Sequence, residues 1–247
     1  MRTIISPAKN MKVRTREELT LSKCRFPEKT ETVIQTLKKC TPWDLESYMK
    51  INEKLAGEAF ADIQAFSMEK EGTAAILTYD GLVFKHMDAV NWDLETLHYA
   101  QEHLRILSAC YGALGALDEI QPYRLEMQCK IPIESQTLYE FWGNEIYQEV
   151  YRDEEIVLNL ASEEYAKCVR KYAKKDCLID VEFLTMHKGK LKTLATLAKM
   201  ARGHMVQYVM EKRIEDPEDI KKFDWNGYIY EPSLSNEKKY VLSLIHI

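Results

Sequence analysis

The sequence lacks long apolar runs and paired metal-binding residues. No segment approaches the roughly 18 consecutive apolar residues that a membrane helix needs, and the stretch before Pro7 is too short for the apolar core of a signal peptide. The six cysteines form no C-x-x-C pair, and the six histidines form no H-E-x-x-H motif. We therefore expect a cytoplasmic protein with reduced thiols, no membrane partner, no bound metal and no cofactor.

The chain also lacks repeats, low-complexity segments and a recognisable linker, which favours one domain. Its 247 residues, of which 46% are hydrophobic and 30% charged, can bury a substantial core. Segments with strand and helix patterns mix irregularly, so we predict a single compact α+β domain with a mixed sheet over residues 1–241. Residues 242–247 match the translation of a widely used sequencing adapter, and we expect them to be a non-native tail.

Charge is distributed unevenly along the chain, although the net charge is only −5. Residues 165–213 contain twelve Lys and Arg against four Asp and Glu, whereas residues 67–164 contain six against nineteen. A basic face on an acidic body can steer a polyanion to one side of a protein. The alternative is a set of solvated helix faces, and composition does not decide between the two.

The most distinctive segment is residues 104–127. We interpret its apolar beginning as the end of a helix over residues 91–109, followed by a turn of small residues. A proline then restricts the backbone just before Tyr123 and Arg124. We predict a packed turn that presents these two side chains. The structural alternative is a buried turn in which Arg124 pairs with a carboxylate such as Glu126.

Two further segments place polar groups after a predicted strand. Residues 2–6 have a strand pattern and are followed by a proline, so the Ser6 hydroxyl and the Lys9 ammonium are expected to lie close together. Residues 73–78 are predicted to be a second strand, which runs into Tyr79. A lysine just past a strand end can bind an anion or can simply be solvated.

Residues 41–66 have the outline of a helix-hairpin-helix element. In that motif, backbone N–H groups at the start of the second helix bind a DNA phosphate, supported by the helix dipole and nearby lysines. Lys50, Lys54 and Gly57 would take these roles. An alanine replaces the usual first glycine of the hairpin, and Glu58 adds a negative charge, so an ordinary corner between two helices is the alternative.

Seven short phrases are spread along the chain: ISPAK (5–9), KLAG (54–57), LRILS (104–108), QPYRLEM (121–127), LY with FWG (138–143), NLAS (159–162) and ARG (201–203). In their order and spacing over residues 1–241, these phrases resemble the YaaA family of peroxide-stress proteins. The resemblance implies a cytoplasmic bacterial protein that limits iron-dependent peroxide damage, and a family-specific fold with a helix-hairpin-helix-like element and a positively charged cleft for DNA.

Carried over by position, the resemblance implies a specific set of cleft residues. One departure is the segment 114–118, Leu-Gly-Ala-Leu-Asp, which lacks the Arg and Pro that family members commonly have there. This chain is therefore expected to have one cation fewer in its cleft. The implied cleft residues are Lys9, Lys54, Arg105, Tyr123, Arg124 and Arg202.

Two functional hypotheses follow, both for a monomer. The first is sequence-tolerant binding of double-stranded DNA by phosphate neutralisation, through Lys9, Lys50, Lys54, Gly57, Arg105, Arg124, Lys199 and Arg202. The second is a lyase- or transferase-like enzyme acting on a nucleotide or a damaged base, with Ser6, Lys9, Tyr79, Tyr123 and Arg124 as catalytic candidates. Direct iron binding is disfavoured because the chain has no suitable ligand spacing.

Overall fold

Strands and helices alternate along most of the chain in a computed structural model, which describes residues 1–174 and 177–245. The strands are β1 (Arg2–Ile5), β2 (Asn10–Met11), β3 (Thr73–Ala74), β4 (Tyr79–Asp80), β5 (Leu104–Ser108), β6 (Gly112–Leu114), β7 (Glu119–Ile120), β8 (Ile156–Asn159), β9 (Cys177–His187), β10 (Lys190–Lys192), β11 (Ile229–Tyr230) and β12 (Lys239–Leu244).

The helices differ widely in length. Short 3-10 helices cover Ala89–Asn91, Pro217–Lys222, Trp225–Gly227 and Pro232–Leu234. The α-helices are α1 (Pro27–Lys38), α2 (Pro42–Met49), α3 (Glu53–Ala65), α4 (Ala75–Thr78), α5 (Leu82–Met87), α6 (Leu94–His103), α7 (Leu138–Trp142), α8 (Glu145–Val150), α9 (Glu163–Arg170) and α10 (Ala195–Glu211).

The main sheet has the strand order β11-β12-β9-β8-β1-β5-β6, with β10 paired to β9. The five strands from β12 to β5 run parallel, and the strands at the margins are antiparallel. The prediction of a mixed sheet in one compact domain is therefore confirmed. The predicted α+β class is corrected to α/β, because helices connect the parallel strands of the centre.

Strand β5 occupies the place where the sequence analysis expected the end of a helix. All five of its residues are buried, and it pairs with β1 on one side and β6 on the other. A strand covered on both faces shows no polar–apolar alternation, so its pattern resembles a buried helix. The predicted strand over residues 73–78 is also corrected, since only Thr73 and Ala74 pair with a neighbour and residues 75–78 form a helical turn.

The turn between β5 and β6 is tightly packed, as predicted. Gly112 has a φ of +77°, and a Cβ atom there would lie 2.7 Å from the ring of Trp142 and 2.9 Å from that of Phe26. Trp142 Nε1 also donates a hydrogen bond to the Ala109 carbonyl at 2.9 Å. Only glycine satisfies both the backbone angle and the space at this turn.

Helices α2 and α3 pack as a pair, but their turn differs from the predicted hairpin. The Thr41 side chain caps α2, and the Asn52 side chain caps α3 by accepting a hydrogen bond from the Leu55 N–H. The turn lies at residues 50–52, where Lys50 has a positive φ of 52°. The predicted hairpin at residues 52–57 is not formed, because α3 already begins at Glu53 and runs without a break through Gly57.

Part of segment 242–247, which was predicted to be a non-native tail, lies in the sheet. Leu242, Ser243 and Leu244 belong to β12, pair with β9 and are buried. His246 and Ile247 lie outside the described residues, as does Lys175 of the basic stretch. The origin of residues 242–247 stays a prediction.

A buried ion cluster joins β5 to α8. The Glu149 carboxylate lies 3.0 Å from Arg105 Nε, 3.1 Å from an Arg25 nitrogen and 2.8 Å from an Arg152 nitrogen. Arg105 also donates hydrogen bonds to three backbone carbonyls. Burial, together with the neighbouring charges of Arg25 and Arg2, lowers the pKa of Arg105 to about 10. The carboxylate is thus the shared counter-charge of several arginines.

We predict that Glu149→Gln strongly destabilises the fold. The amide removes the counter-charge of Arg105, whose side chain is 3% exposed, and this costs about 3 kcal/mol or more of the free energy of unfolding. For a chain of this size that loss lowers the Tm by roughly 6–12 °C, which thermal unfolding followed by circular dichroism would measure. The matched control is Glu95→Gln, since Glu95 pairs with Arg213 while its side chain is 77% exposed and the pair contributes under about 1 kcal/mol. Equal losses in the two variants would contradict the prediction.

Candidate functional site

The candidate site lies at the carboxyl ends of β1 and β8. The chain leaves β1 to form β5 on one side and later returns to form β8 on the other. In open parallel sheets such a reversal of strand order leaves a crevice beyond the carboxyl ends of the strands. A cavity of about 420 Å³, which we call the edge cavity, occupies this position. Its lining comes from the segments 6–10, 80–84, 125–128 and 160–165, and from Lys199 and Arg202 of α10.

Two serines tie together the loops that follow β1 and β8. The Ser6 hydroxyl accepts a hydrogen bond from the Ser162 backbone N–H at 2.8 Å and donates one to the Ser162 hydroxyl at 3.1 Å. Ser162 precedes α9, and its side chain forms no capping bond to that helix. Ser6 and Lys9 both line the edge cavity.

One ammonium and two carboxylates come together in the edge cavity. Lys9 Nζ lies 2.7 Å from Glu126 Oε2, while the lysine side chain stays 63% exposed. Glu164 Oε1 accepts a hydrogen bond from the Gln128 backbone N–H at 3.2 Å. Burial raises the pKa of Glu164, and the nearby Glu126 raises it further. Such a group of acids and bases can bind cations or exchange protons with a ligand.

Helix α10 contributes two cations to the opposite wall. Lys199 is exposed and Arg202 is half-buried, and both line the edge cavity. Burial lowers the pKa of Arg202. The remaining carboxylate, Asp80, is already paired with Arg14 at 3.1 Å and Lys85 at 3.7 Å.

A second cavity of about 620 Å³ adjoins the first at the turn between α2 and α3, and we call it the turn groove. Lys9, Glu126 and Gln128 line both cavities. Arg124 Nη1 donates a hydrogen bond to the Lys9 carbonyl at 3.2 Å. Among the described residues Glu126 pairs with Lys9, and the Arg124–Glu126 ion pair of the structural alternative is not formed. The charged residues that line the turn groove are Lys9, Lys50, Arg124, Lys130 and Glu126.

Three predicted site residues lie in the core instead. The hydroxyls of Tyr79 and Tyr123 are 2.7 Å apart, and Tyr123 also bonds to the Ser108 hydroxyl at 2.7 Å. Burial raises the pKa of both phenols. Neither ring lines the edge cavity or the turn groove. Arg105, 2% exposed, is held by Glu149 and does not reach the surface implied by the resemblance.

Lys54 and Gly57 lie away from both cavities. They line a separate recess together with Trp43, and Lys54 Nζ lies 3.9 Å from a Glu58 carboxylate oxygen. The structure thus brings together Ser6, Lys9, Lys50, Arg124, Lys199 and Arg202, but not Lys54 or Gly57. Sequence reasoning missed Glu126 and Glu164 as cavity acids and Lys130 as a groove cation. In the sequence, the only indication of these roles was that Glu126 and Lys130 lie near Arg124 and that Glu164 lies near Ser162.

Within the described part of the chain, no cluster of three or more His, Cys, Asp or Glu side chains could hold a metal ion. In the same residues, no helix has both the length and the apolar character needed to cross a bilayer.

Comparisons with known proteins agree on one family along nearly the whole chain. A family model described as peroxide stress protein YaaA matches residues 1–234. A UPF0246 protein of Agathobacter rectalis is 41% identical over 98% of both chains, and one of Ligilactobacillus salivarius is 42% identical over 98% of both. A UPF0246 protein of Clostridioides difficile is 39% identical over 96% of this chain and 97% of its own.

We predict that Glu164→Gln stabilises the protein at neutral pH. The pKa of Glu164 is raised in the folded state, so its ionised form opposes folding above that pKa, and the penalty disappears as the pH falls towards about 4. Glutamine keeps an acceptor for the Gln128 N–H. Thermal unfolding across this pH range should show a higher Tm for the variant at neutral pH and converging values in acid. Glu163→Gln is the control, since that side chain is 74% exposed; a lower Tm for Glu164→Gln at neutral pH would refute the prediction.

Proposed function

We propose that this chain, which belongs to the family of the peroxide stress protein YaaA, binds double-stranded DNA along the turn groove during peroxide stress. Family membership confirms the resemblance drawn from the sequence. The observation that carries the DNA proposal is the gathering of Lys9, Lys50, Arg124 and Lys130 around one groove whose lining has a single carboxylate. Cations from separate segments on one concave surface are suited to a polyanion.

The charges of the groove favour phosphate over a neutral ligand. Glu126 is balanced by Lys9 at 2.7 Å, which leaves Lys50, Arg124 and Lys130 in excess. The first turn of α3 also faces the groove through Asn52 and Leu55, and helix N-termini favour anions. Glu53 in that turn partly offsets the effect. Contacts to phosphates carry no base information, so binding is expected to be sequence-tolerant.

Phosphate neutralisation also offers a link to iron. A protein that contacts phosphates releases the cations condensed on DNA, and Fe²⁺ near the backbone would be among them. Displaced iron generates damaging radicals farther from the bases. This route requires no metal site on the protein.

We predict salt-sensitive DNA affinity that depends on the groove cations. With three to four phosphate contacts, affinity for a short duplex should fall roughly 40- to 150-fold between about 50 and 200 mM salt. Lys50→Gln/Arg124→Gln should weaken binding and reduce the slope of log K against log salt by about two. Fluorescence anisotropy would measure both quantities.

The matched control is Lys54→Gln, a lysine of the same helix pair that lies outside the groove. Its affinity and salt slope should equal those of the wild type. A flat salt response, or an equal loss in this control, would overturn the proposal.

A second candidate function, an enzyme acting on a nucleotide or a damaged base, is favoured by the Lys9–Glu126 contact beside Glu164 in the edge cavity. In its lyase-like form, the Lys9 amine would attack the aldehyde of an opened abasic sugar. A C–N bond forms while a neighbouring carboxylate passes two protons in turn from the nitrogen to the aldehyde oxygen, and the C–O bond then breaks to release that oxygen as water. The product is an iminium between Lys9 and the DNA.

This candidate predicts a covalent complex that borohydride traps by reducing the iminium to a secondary amine. The complex should form between wild type and an abasic oligonucleotide and should be absent in Lys9→Gln, as resolved by denaturing gel. Lys85→Gln is the control, because Lys85 has a similar exposure but does not line the edge cavity. Equal trapping by Lys9→Gln would exclude Lys9 as the nucleophile.

A further inference from the structure

Arg202 differs from every other arginine of the chain, all of which lie in the described residues. Arg2, Arg14, Arg16, Arg25, Arg105, Arg124, Arg152, Arg170 and Arg213 each donate a hydrogen bond or form an ion pair. Arg202 does neither with any described residue, and its Nε atom is buried without an acceptor. A guanidinium left in this state lines the edge cavity.

The isolation of Arg202 from other side chains is energetically unfavourable. Burial removes solvent from the guanidinium and lowers its pKa, and no neighbouring carboxylate offsets this. A buried donor without a partner normally costs stability. Lys199 stands one turn earlier on α10 and faces the same cavity. This wall therefore has two cations and lacks an anion.

The carboxylates of the edge cavity do not supply that anion. Asp80 is paired with Arg14 and Lys85, and Glu126 is paired with Lys9. Glu164 accepts its hydrogen bond from Gln128, and no ion pair joins it to Arg202. The missing partner of Arg202 is thus expected to come from a ligand. Phosphate fits best, because a guanidinium binds its oxygens with two parallel hydrogen bonds.

The remainder of the cavity suits a planar base. Its apolar walls include Leu82, Phe84, Leu125 and Leu160, and Asn10 and Gln128 add amides. Bases held outside a helix are typically gripped between apolar side chains and recognised along their edges by hydrogen bonds. The volume of about 420 Å³ falls within the range of small-molecule sites.

We infer that the edge cavity binds one nucleotide, with its phosphate on Arg202 and Lys199 and its base between the apolar walls. The inference rests on the proposed function in taking a nucleotide as the ligand. Two sources present the same chemistry: a free nucleoside monophosphate, and a nucleotide swung out of DNA held in the adjoining turn groove. Lys9 lines both cavities, so a strand in the groove passes the entrance.

The test is isothermal titration calorimetry with the four deoxynucleoside monophosphates, the matching deoxynucleosides and inorganic phosphate. Wild type should bind at least one monophosphate more tightly than its nucleoside, and Arg202→Gln should weaken that binding by about tenfold or more. Arg213→Gln, the same change two residues beyond the C-terminal end of α10, should leave it unchanged. No monophosphate binding at millimolar concentration together with no fluorescence increase from a 2-aminopurine duplex, or equal losses in the two variants, would overturn the inference.

The stability of the unliganded variant separates binding from a structural role. Arg202 has no described partner to lose, so Arg202→Gln should leave the Tm unchanged or raise it. A structural arginine would lower the Tm when replaced, and that result would count against the inference. This Tm measurement uses the protein alone, without a nucleotide.

A duplex carrying 2-aminopurine distinguishes the two sources. A fluorescence increase on binding wild type, absent with Arg202→Gln, identifies a nucleotide swung out of DNA; monophosphate binding without the increase identifies the free nucleotide. Both outcomes support the inference. If the protein binds the duplex in a salt-sensitive way but shows neither monophosphate binding nor a fluorescence increase, the inference is refuted and the proposed function stands. If it binds a monophosphate but has no affinity for the duplex, the proposed function is refuted and the nucleotide site stands.

Discussion

The ion pair between the buried Glu149 carboxylate and Arg105 is the interaction on which the centre of the sheet depends. The Glu149 carboxylate lies 3.0 Å from Arg105 of β5, the strand that pairs with β1 from Thr3 to Ile5. The edge cavity lies beyond the carboxyl end of β1, so this ion pair supports the strands that carry the Ser6–Lys9 segment. The pair tolerates little displacement, because Arg105 is 2% exposed and Glu149 is its only ion-pair partner among the described residues. A fixed core of this kind supports a site at the edge of the sheet.

The lysines and arginines discussed above form two groups, which differ in whether their charge is balanced within the fold. Arg2, Arg25 and Arg105 lie near one carboxylate or against backbone carbonyls, and their charges are used within the fold. Lys50, Lys130 and Arg202 line cavities, and no ion pair to a described carboxylate balances them. The net charge of −5 hides this division, since acidic residues elsewhere outweigh the free cations. Attraction of a polyanion to one face is compatible with an acidic protein for this reason.

The position of Ser6 and Lys9 in the fold was easier to predict from the sequence than the turn between α2 and α3. Ser6 and Lys9 follow an unmistakable strand, and strand ends of a parallel sheet meet at one edge, so their place could be anticipated. Arg105 and Tyr123 could not be placed in the same way, because residue type does not reveal whether a polar group is satisfied by a buried partner such as Glu149 or Ser108. The hairpin was predicted at the wrong place because a glycine such as Gly57 usually indicates a turn. In the structure, Asn52 caps α3 only three residues after α2 ends, so α3 begins before Gly57 and includes it. Strand β5 was misread because burial on both faces removes the alternation that marks a strand.

Under the proposed function, Lys9 would couple the two cavities by a competition between anions. Its ammonium contacts Glu126 at 2.7 Å, and both side chains line the edge cavity and the turn groove. A phosphate arriving in the turn groove would compete with Glu126 for the same ammonium, and displacement would free a carboxylate that lines the edge cavity. That carboxylate stands near Glu164, whose pKa Glu126 already raises. Occupancy of the groove would therefore change the charge that the edge cavity presents to a ligand.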